Sequence, residues 1–142
     1  MLKGLDPYLT PDLLYALAQM GHGDQIALVD RNYPAYANGS DVIEFPHASI
    51  ADVLPAILQV FPVDAFPGDP VIHMLTDDGA PGPALANCQA IWNQAEARTV
   101  GVLGVGRYGD AGFYALAKEA FITIRTGETA PFACYLIPKG VL

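Results

Sequence analysis

Basic residues are scarce in this chain: 7 Lys and Arg stand against 15 Asp and Glu, for a formal net charge of −8. The few cations are scattered rather than clustered. Nucleic-acid binding requires a basic footprint that neutralises phosphates, so that class of partner is excluded. Cysteine is sparse too. Cys88 and Cys134 form no CxxC pair and no metal-ligand spacing. Long apolar runs are missing. No stretch approaches the roughly 18 apolar residues of a membrane span. Met1 to Thr10 lacks the basic and apolar regions of a signal peptide. Free thiols without an export signal point to the cytoplasm. With no repeat, low-complexity tract or convincing linker, residues 1–142 read as one domain.

What the chain does hold is apolar material. Hydrophobic residues make up 52% of 142, charged residues 15%, and mean hydropathy is +0.29. That supplies a core and excludes disorder. So little charge on a small domain fits a surface partly hidden in subunit contacts; a well-packed monomer fits it as well. An acidic surface is compatible with a neutral substrate such as a sugar.

Spacing predicts alternating elements. Thr10 and Pro11 read as N-cap and first residue of a helix over 11–20, with Gly21 as its stop. Strands are expected at 25–29 and 41–45. A helix over 50–61 follows, with Asp52 as its N-cap so that Pro55 falls in the first turn. A strand at 71–75, a helix from Pro81-Gly82-Pro83 through Trp92 to Ala95, and a strand at 99–105 come next. Asp110 is expected to cap a helix to about Ala120, before strands at 121–125 and 133–137. This order predicts a three-layer α/β/α sandwich with helices on both faces of a mostly parallel sheet. Asn38-Gly39-Ser40 matches a glycosylation acceptor but reads as a turn.

Three constellations could carry chemistry. In Gly21-His22-Gly23-Asp24, His22 leaves the negative end of the first helix between two glycines, and histidine readily gives and takes a proton near neutral pH. Asp30 follows at the carboxyl end of the first strand, where open α/β sheets gather ligands. It could accept hydrogen bonds from sugar hydroxyls or orient the imidazole. The bland alternative is an exposed histidine at a helix end. Second, Gly104-Val105-Gly106-Arg107-Tyr108-Gly109 matches the dinucleotide fingerprint G-x-G-x-x-G, with Glu128 downstream. Only one βαβ unit fits around it, and nearby Gly101 and Gly112 make chance matches easy. Arg107 could donate to a ligand or be a solvated loop charge. Third, residues 125–134 read as strand, tight turn and strand, with Glu128 solvated and Phe132 in the core. His73 reads as a core histidine, His47 as a loop residue, and Trp92 as a helix-to-sheet packing residue. His22, Asp24, Asp30, His47 and His73 show no HxH or HExxH spacing, so no metal is expected.

Met1-Leu2-Lys3-Gly4, Leu9-Thr10-Pro11-Asp12-Leu13-Leu14 and Met20-Gly21-His22-Gly23-Asp24 resemble the FucU branch of the RbsD/FucU family. So do Phe113-Tyr114, Ala120-Phe121, Ile124-Arg125-Thr126-Gly127-Glu128 and Lys139-Gly140-Val141. The resemblance spans nearly the whole chain and is weak between about Asp64 and Arg98. It implies an α/β sugar-binding protein that interconverts anomers of fucose, ribose or related sugars, without metal, nucleotide or other cofactor. It implies ring-shaped homo-oligomers, often decamers, with the sugar near subunit contacts. The family's catalytic histidine matches His22, its sugar-binding aspartate Asp30, and its arginine Arg107. One tripeptide departs. The family carries Tyr-Gly-Asn or Tyr-Ala-Asn before its last strand, whereas here Phe132-Ala133-Cys134 stands at those substrate-binding positions. Phe132 lacks the hydroxyl, and Cys134 offers a weak thiol in place of an amide. Such losses weaken sugar binding, shift preference or end mutarotation. Three readings stand: a mutarotase with His22 as acid/base, a non-catalytic sugar-binding or regulatory protein, and a nucleotide-binding module.

Overall fold

The computed structural model describes residues 2–38 and 40–142. Met1, which opens one of the resembling segments, and Gly39, at the centre of the expected 38–40 turn, lie outside the described residues. The elements run α1 (Pro11–Gln19), β1 (Gln25–Val29), a 3₁₀ turn (Ala35–Asn38), β2 (Asp41–Phe45), α2 (Ile50–Leu58), β3 (Val71–Met74), α3 (Leu85–Glu96), β4 (Val102–Val105), α4 (Phe113–Ala117), β5 (Ile122–Thr126) and β6 (Tyr135–Pro138). Their order agrees with the expected alternation.

The six strands form one sheet in the order β2-β5-β1-β6-β3-β4. Five strands share a direction. β6 alone runs antiparallel, between β1 and β3. Alternate residues then face opposite layers. Ile26, Leu28, Ile122, Ile124, Tyr135 and Ile137 pack under α1, α2 and α3. Ala27, Val29, Ile72, Met74 and Leu136 face the 3₁₀ turn and α4. The second layer is thin, because α4 has five residues. Trp92 is fully buried and meets the Tyr135 ring edge-on at 5.7 Å, the packing role expected of it.

Thr10 caps α1 as expected, accepting from the Leu13 N–H. Gly21 is not the left-handed stop. The helix ends on Met20 in extended backbone, and the positive φ (86°) falls on Gly23. The open carbonyls of that helix end are met by an ammonium: Lys139 Nζ donates to Leu17 O at 2.8 Å and Met20 O at 2.6 Å. Asp52 is not the N-cap of α2. Ser49 is, and Asp52 sits three residues on, completing a capping box. Pro55 is therefore inside the helix, where it leaves the Ala51 carbonyl without its usual donor. Asp110 does not cap α4 either; Gly112 stands there without a side-chain cap, and the helix stops at Ala117.

Two hydrogen bonds hold the start of α2 on Ser49. Ser49→Ala is expected to cost about 1 kcal/mol. Urea unfolding should show a lowered midpoint with an unchanged slope.

Candidate active site

The carboxyl ends of β1, β3 and β4 and the start of β6 surround a cleft of about 190 Å³. Asp30, Asn32, Tyr33, Arg107 and Tyr114 supply its polar wall. Met74, Pro131, Phe132 and Cys134 supply the rest. Four of the expected site residues, Asp30, Arg107, Phe132 and Cys134, thus meet around one space. Ala133 lies between two of them and is fully buried.

Asp30 is 7% exposed. Its Oδ1 accepts the Asn32 N–H at 2.9 Å, and Cys134 Sγ donates to its Oδ2 at 3.6 Å. Burial pushes its carboxyl above the ordinary range, against the pull of the Asn32 N–H, the Cys134 thiol and the Tyr33 and Ala133 N–H groups. Burial also drives the Cys134 thiol well up, with the Asp30 charge adding to it, so the sulfur stays protonated. Tyr33 is buried beneath the cleft, and Asn38 Nδ2 donates to its hydroxyl at 2.7 Å.

Arg107 is not a free loop charge. Its Nη2 reaches the Asp77 carboxylate at 2.8 Å, and its guanidinium lies over the rings of Tyr108 (4.8 Å) and Phe132 (5.7 Å). Its Nε is buried without a hydrogen-bond partner in the chain. Phe132 is not a core residue. It is half-buried at the cleft with φ at +60°, a left-handed conformation costing about 1–3 kcal/mol for a side chain of this kind.

His22 lies elsewhere. It precedes β1 while Asp30 follows it, and five strand steps span about 17 Å. Within one chain the two do not meet, and Asp30 does not orient the imidazole. Asp64 does: His22 Nε2 and Asp64 Oδ2 are 2.9 Å apart. The histidine side chain is 44% exposed and the Asp64 side chain 1%. Burial works to raise the Asp64 carboxyl, but the Phe66 N–H, the His22 ring and the Ala65 N–H hold it below the usual range. An ionised carboxylate only accepts, so Nε2 carries a proton; in the neutral ring that leaves the lone pair on Nδ1. The Phe66 ring stands 5.4 Å from the imidazole. Asp69 completes the one trio of potential metal ligands among the described residues, its atoms within 4.8 Å of those of His22 and Asp64. Two members of the trio, His22 and Asp64, are already joined by a hydrogen bond.

Asp64 escaped sequence reasoning because it falls where the resemblance is weak. The fold brings it in: its N–H donates to Pro138 O, and Arg98 donates to its carbonyl. Asn32, Tyr33, Met74 and Tyr114 carried no motif. His73 is buried, as expected, although its Nδ1 has no partner.

The helix that follows the glycine-rich segment does not offer its N-terminus to a phosphate. The N–H groups of Gly112, Phe113 and Tyr114 at the start of α4 donate to the carbonyls of Gly109, Gly106 and Arg107. An anion would find those donors taken. Glu128 is not solvated either. Its two oxygens accept from the N–H groups of Ile50, at the start of α2, and Ala130. Gly127 makes that turn possible, since a Cβ there would stand 2.4 Å from the Pro46 carbonyl oxygen.

Fold and cleft together define a small α/β protein with a cleft at the carboxyl ends of parallel strands, where proteins of this class gather ligands. Residues 3–142 match the model of the RbsD / FucU transport protein family, and the chain belongs to that family. It is 37% identical to the Bos taurus protein named fucose mutarotase, across all of this chain and 95% of the relative. It is 35% identical to the L-fucose mutarotase of Histophilus somni strain 2336, across 99% and 97% of the two chains. The solved structure of the Streptococcus pneumoniae fucose mutarotase in complex with L-fucose superposes with a TM-score of 0.88. That pair is 29% identical and covers 99% of each chain. Among the described residues no helix is long and apolar enough to cross a membrane.

Asp30 has a raised folded-state pKa, so its ionisation opposes folding. The penalty is absent below about pH 3.8, where the carboxyl is protonated in both states, and grows as pH rises through the folded value. Asp30→Asn is expected to stabilise the protein at pH 7 and to lose that advantage near pH 4. Urea unfolding at the two pH values checks this.

Proposed function

We propose that this protein is a monosaccharide mutarotase, an isomerase interconverting the α and β anomers of a fucose-like or ribose-like sugar in the cytoplasm. The observation that carries the reading is the pairing of chemistries in one family member. A carboxylate and an arginine face one small cleft, and an exposed imidazole keeps one nitrogen free. Names borne by relatives at 35–37% identity support it.

Ring opening requires a base to take the proton from the anomeric hydroxyl and an acid to protonate the ring oxygen. The bond from the anomeric carbon to the ring oxygen then breaks, the aldehyde turns, and closure reverses the steps. Cleavage and closure are assisted by proton transfers at two oxygens, which side chains can supply, so the reading calls on no metal, redox group or other cofactor. Asp30 accepts hydrogen bonds from sugar hydroxyls, and Arg107 donates to them. The Phe132 ring and the Cys134 thiol, with Ala133 between, form the weakly polar side. Nδ1 of His22 takes up and returns the proton, while Asp64 fixes the tautomer from the other side of the ring.

The distance between His22 and Asp30 requires a second copy. One copy's exposed His22 and Phe66 would close another's cleft, a head-to-tail contact that generates a closed ring, with ten copies as the family suggests. The cleft alone is below the roughly 300–1,000 Å³ of a complete ligand pocket, as half of a shared site would be. A second reading, a sugar-binding protein without catalysis, is favoured by the missing hydroxyl at Phe132 and the missing amide at Cys134.

General acid–base help is worth about 10²–10⁴-fold. His22→Ala is expected to slow enzyme-dependent anomer exchange by that order while saturable binding persists. Saturation-transfer NMR over a panel of monosaccharides reads both. Exchange unchanged for every sugar that binds would refute the role of His22. Saturable binding with no accelerated exchange in the unaltered protein would favour the second reading. Mixing His22→Ala with Asp30→Ala subunits is expected to regain exchange that neither has alone; no regain would refute the shared site.

A further inference from the structure

Charge around the cleft is unevenly balanced, and the imbalance rests on a residue outside the cleft wall. Asp30 and Arg107 are the charged groups lining it. On their own they would present one negative and one positive charge to a ligand. Asp77 changes that. Its carboxylate holds Arg107 Nη2 with both oxygens, at 2.8 and 2.9 Å. The loop that presents Asp77 is fixed. The Thr76 hydroxyl bonds Asp78 and accepts the Ala80 N–H, Thr76 N–H donates to Ala80 O, and Leu75 bridges to Pro81. Asp77 itself is 67% exposed in its side chain, so its carboxylate serves Arg107 and not the core.

Resting on the sugar-site reading, we propose that Asp77 is a specificity-determining residue: it neutralises Arg107, so that the cleft accepts neutral monosaccharides and rejects anionic ones such as uronates and sugar phosphates. A guanidinium beside a sugar site is otherwise an anion receptor, because its planar fork matches carboxylate and phosphate oxygens. Here one of its two terminal nitrogens, Nη2, is already paired. What Arg107 keeps toward the cleft is donor capacity with its charge balanced by Asp77. Asp30, buried and without a cation of its own, leaves the site net negative. A neutral sugar loses little from this, since its hydroxyls accept from arginine and donate to aspartate. An anionic sugar meets the Asp30 carboxylate and an arginine whose charge Asp77 already balances. Like-charge juxtaposition of this kind is a means of rejecting wrong partners.

The test compares D-galactose with D-galacturonate, D-glucose with D-glucuronate, and L-fucose as a further neutral sugar, by saturation-transfer NMR titration at pH 7. The unaltered protein is expected to bind the preferred neutral sugar at least tenfold more tightly than its uronate. Asp77→Asn should narrow that ratio about tenfold, chiefly by gaining uronate affinity, and Asp77→Glu should restore it. Raising the salt concentration should narrow the ratio in the unaltered protein but not in Asp77→Asn. A ratio unmoved by Asp77→Asn, or uronates bound as tightly as neutral sugars by the unaltered protein, would overturn the proposal while leaving the sugar site intact. Failure of every neutral sugar to bind the unaltered protein would instead overturn the sugar-site reading beneath it.

Discussion

The antiparallel pairing of β6 between β1 and β3 is the constraint on which the rest of this molecule depends. In an otherwise parallel sheet, strand starts and strand ends gather at opposite edges. β6 reverses that for one strand. Its first residues therefore join the carboxyl ends of β1, β3 and β4, which is how Phe132 and Cys134 come to stand beside Asp30 and Met74. Its last residues join the amino end of β1, which is how Lys139 reaches the end of α1. There the Lys139 carbonyl accepts the Gly23 N–H, and its N–H donates to the Asp24 carbonyl. One short strand thus builds one wall of the cleft and holds the His22 loop.

The same strand explains why the two ends behave differently. Around His22 the polar groups are satisfied locally. Asp64 is low in pKa because donors surround it, and the ammonium of Lys139 answers the helix carbonyls. Around Asp30 burial outweighs the donors. A carboxylate held by several strong donors would compete poorly for sugar hydroxyls, because its lone pairs would be taken. Asp30 has two hydrogen bonds, from the Asn32 N–H at 2.9 Å and the weak Cys134 thiol at 3.6 Å, and weaker pulls from the Tyr33 and Ala133 N–H groups. Its remaining acceptor capacity faces the cleft.

Much of this was legible from residue order. The strands at 25–29 and 41–45 and the Thr10-Pro11 helix start agree with the structure because local signals and tertiary packing point the same way there. Asp30 and Arg107 were legible as strand-end and loop residues. The caps of α2 and α4 were not. Ser49 and Asp52 are both competent N-caps, and the choice falls to packing of Ile50, Val53 and Ile57 against the core rather than to Pro55. Asp64 and Asp77 were illegible for a different reason. Each acts on a residue more than 25 positions away in sequence, and no local pattern encodes such a pairing. The separation of His22 from Asp30 was hidden in plain view. Eight positions span about 12 Å of helix but over 25 Å of strand, so the secondary structure of the intervening segment sets whether they meet.

Three departures from ordinary structural economy meet at the cleft, while others, among them the left-handed Ala97 and the unpartnered His73 Nδ1, lie outside its wall. Phe132 holds a left-handed backbone, Asp30 is a buried carboxylate short of donors, and Arg107 Nε is buried without a partner. All three line the same cleft. Each costs stability, and none is required by the fold, since glycine at 132 or asparagine at 30 would serve the sheet equally well. Natural chains break local rules chiefly where function demands it. The inference runs from the observed strain to the site: a strained backbone at Phe132 and a buried carboxylate at Asp30 stand around one cavity. The exposed His22 end shows none of these departures. Its Asp64 partner holds one ring nitrogen, and what it offers is a ready-made proton carrier rather than a binding surface. On the proposed reading, recognition belongs to the cleft and proton transfer to the loop, and their meeting across a contact between copies is the step that would turn two incomplete sites into one.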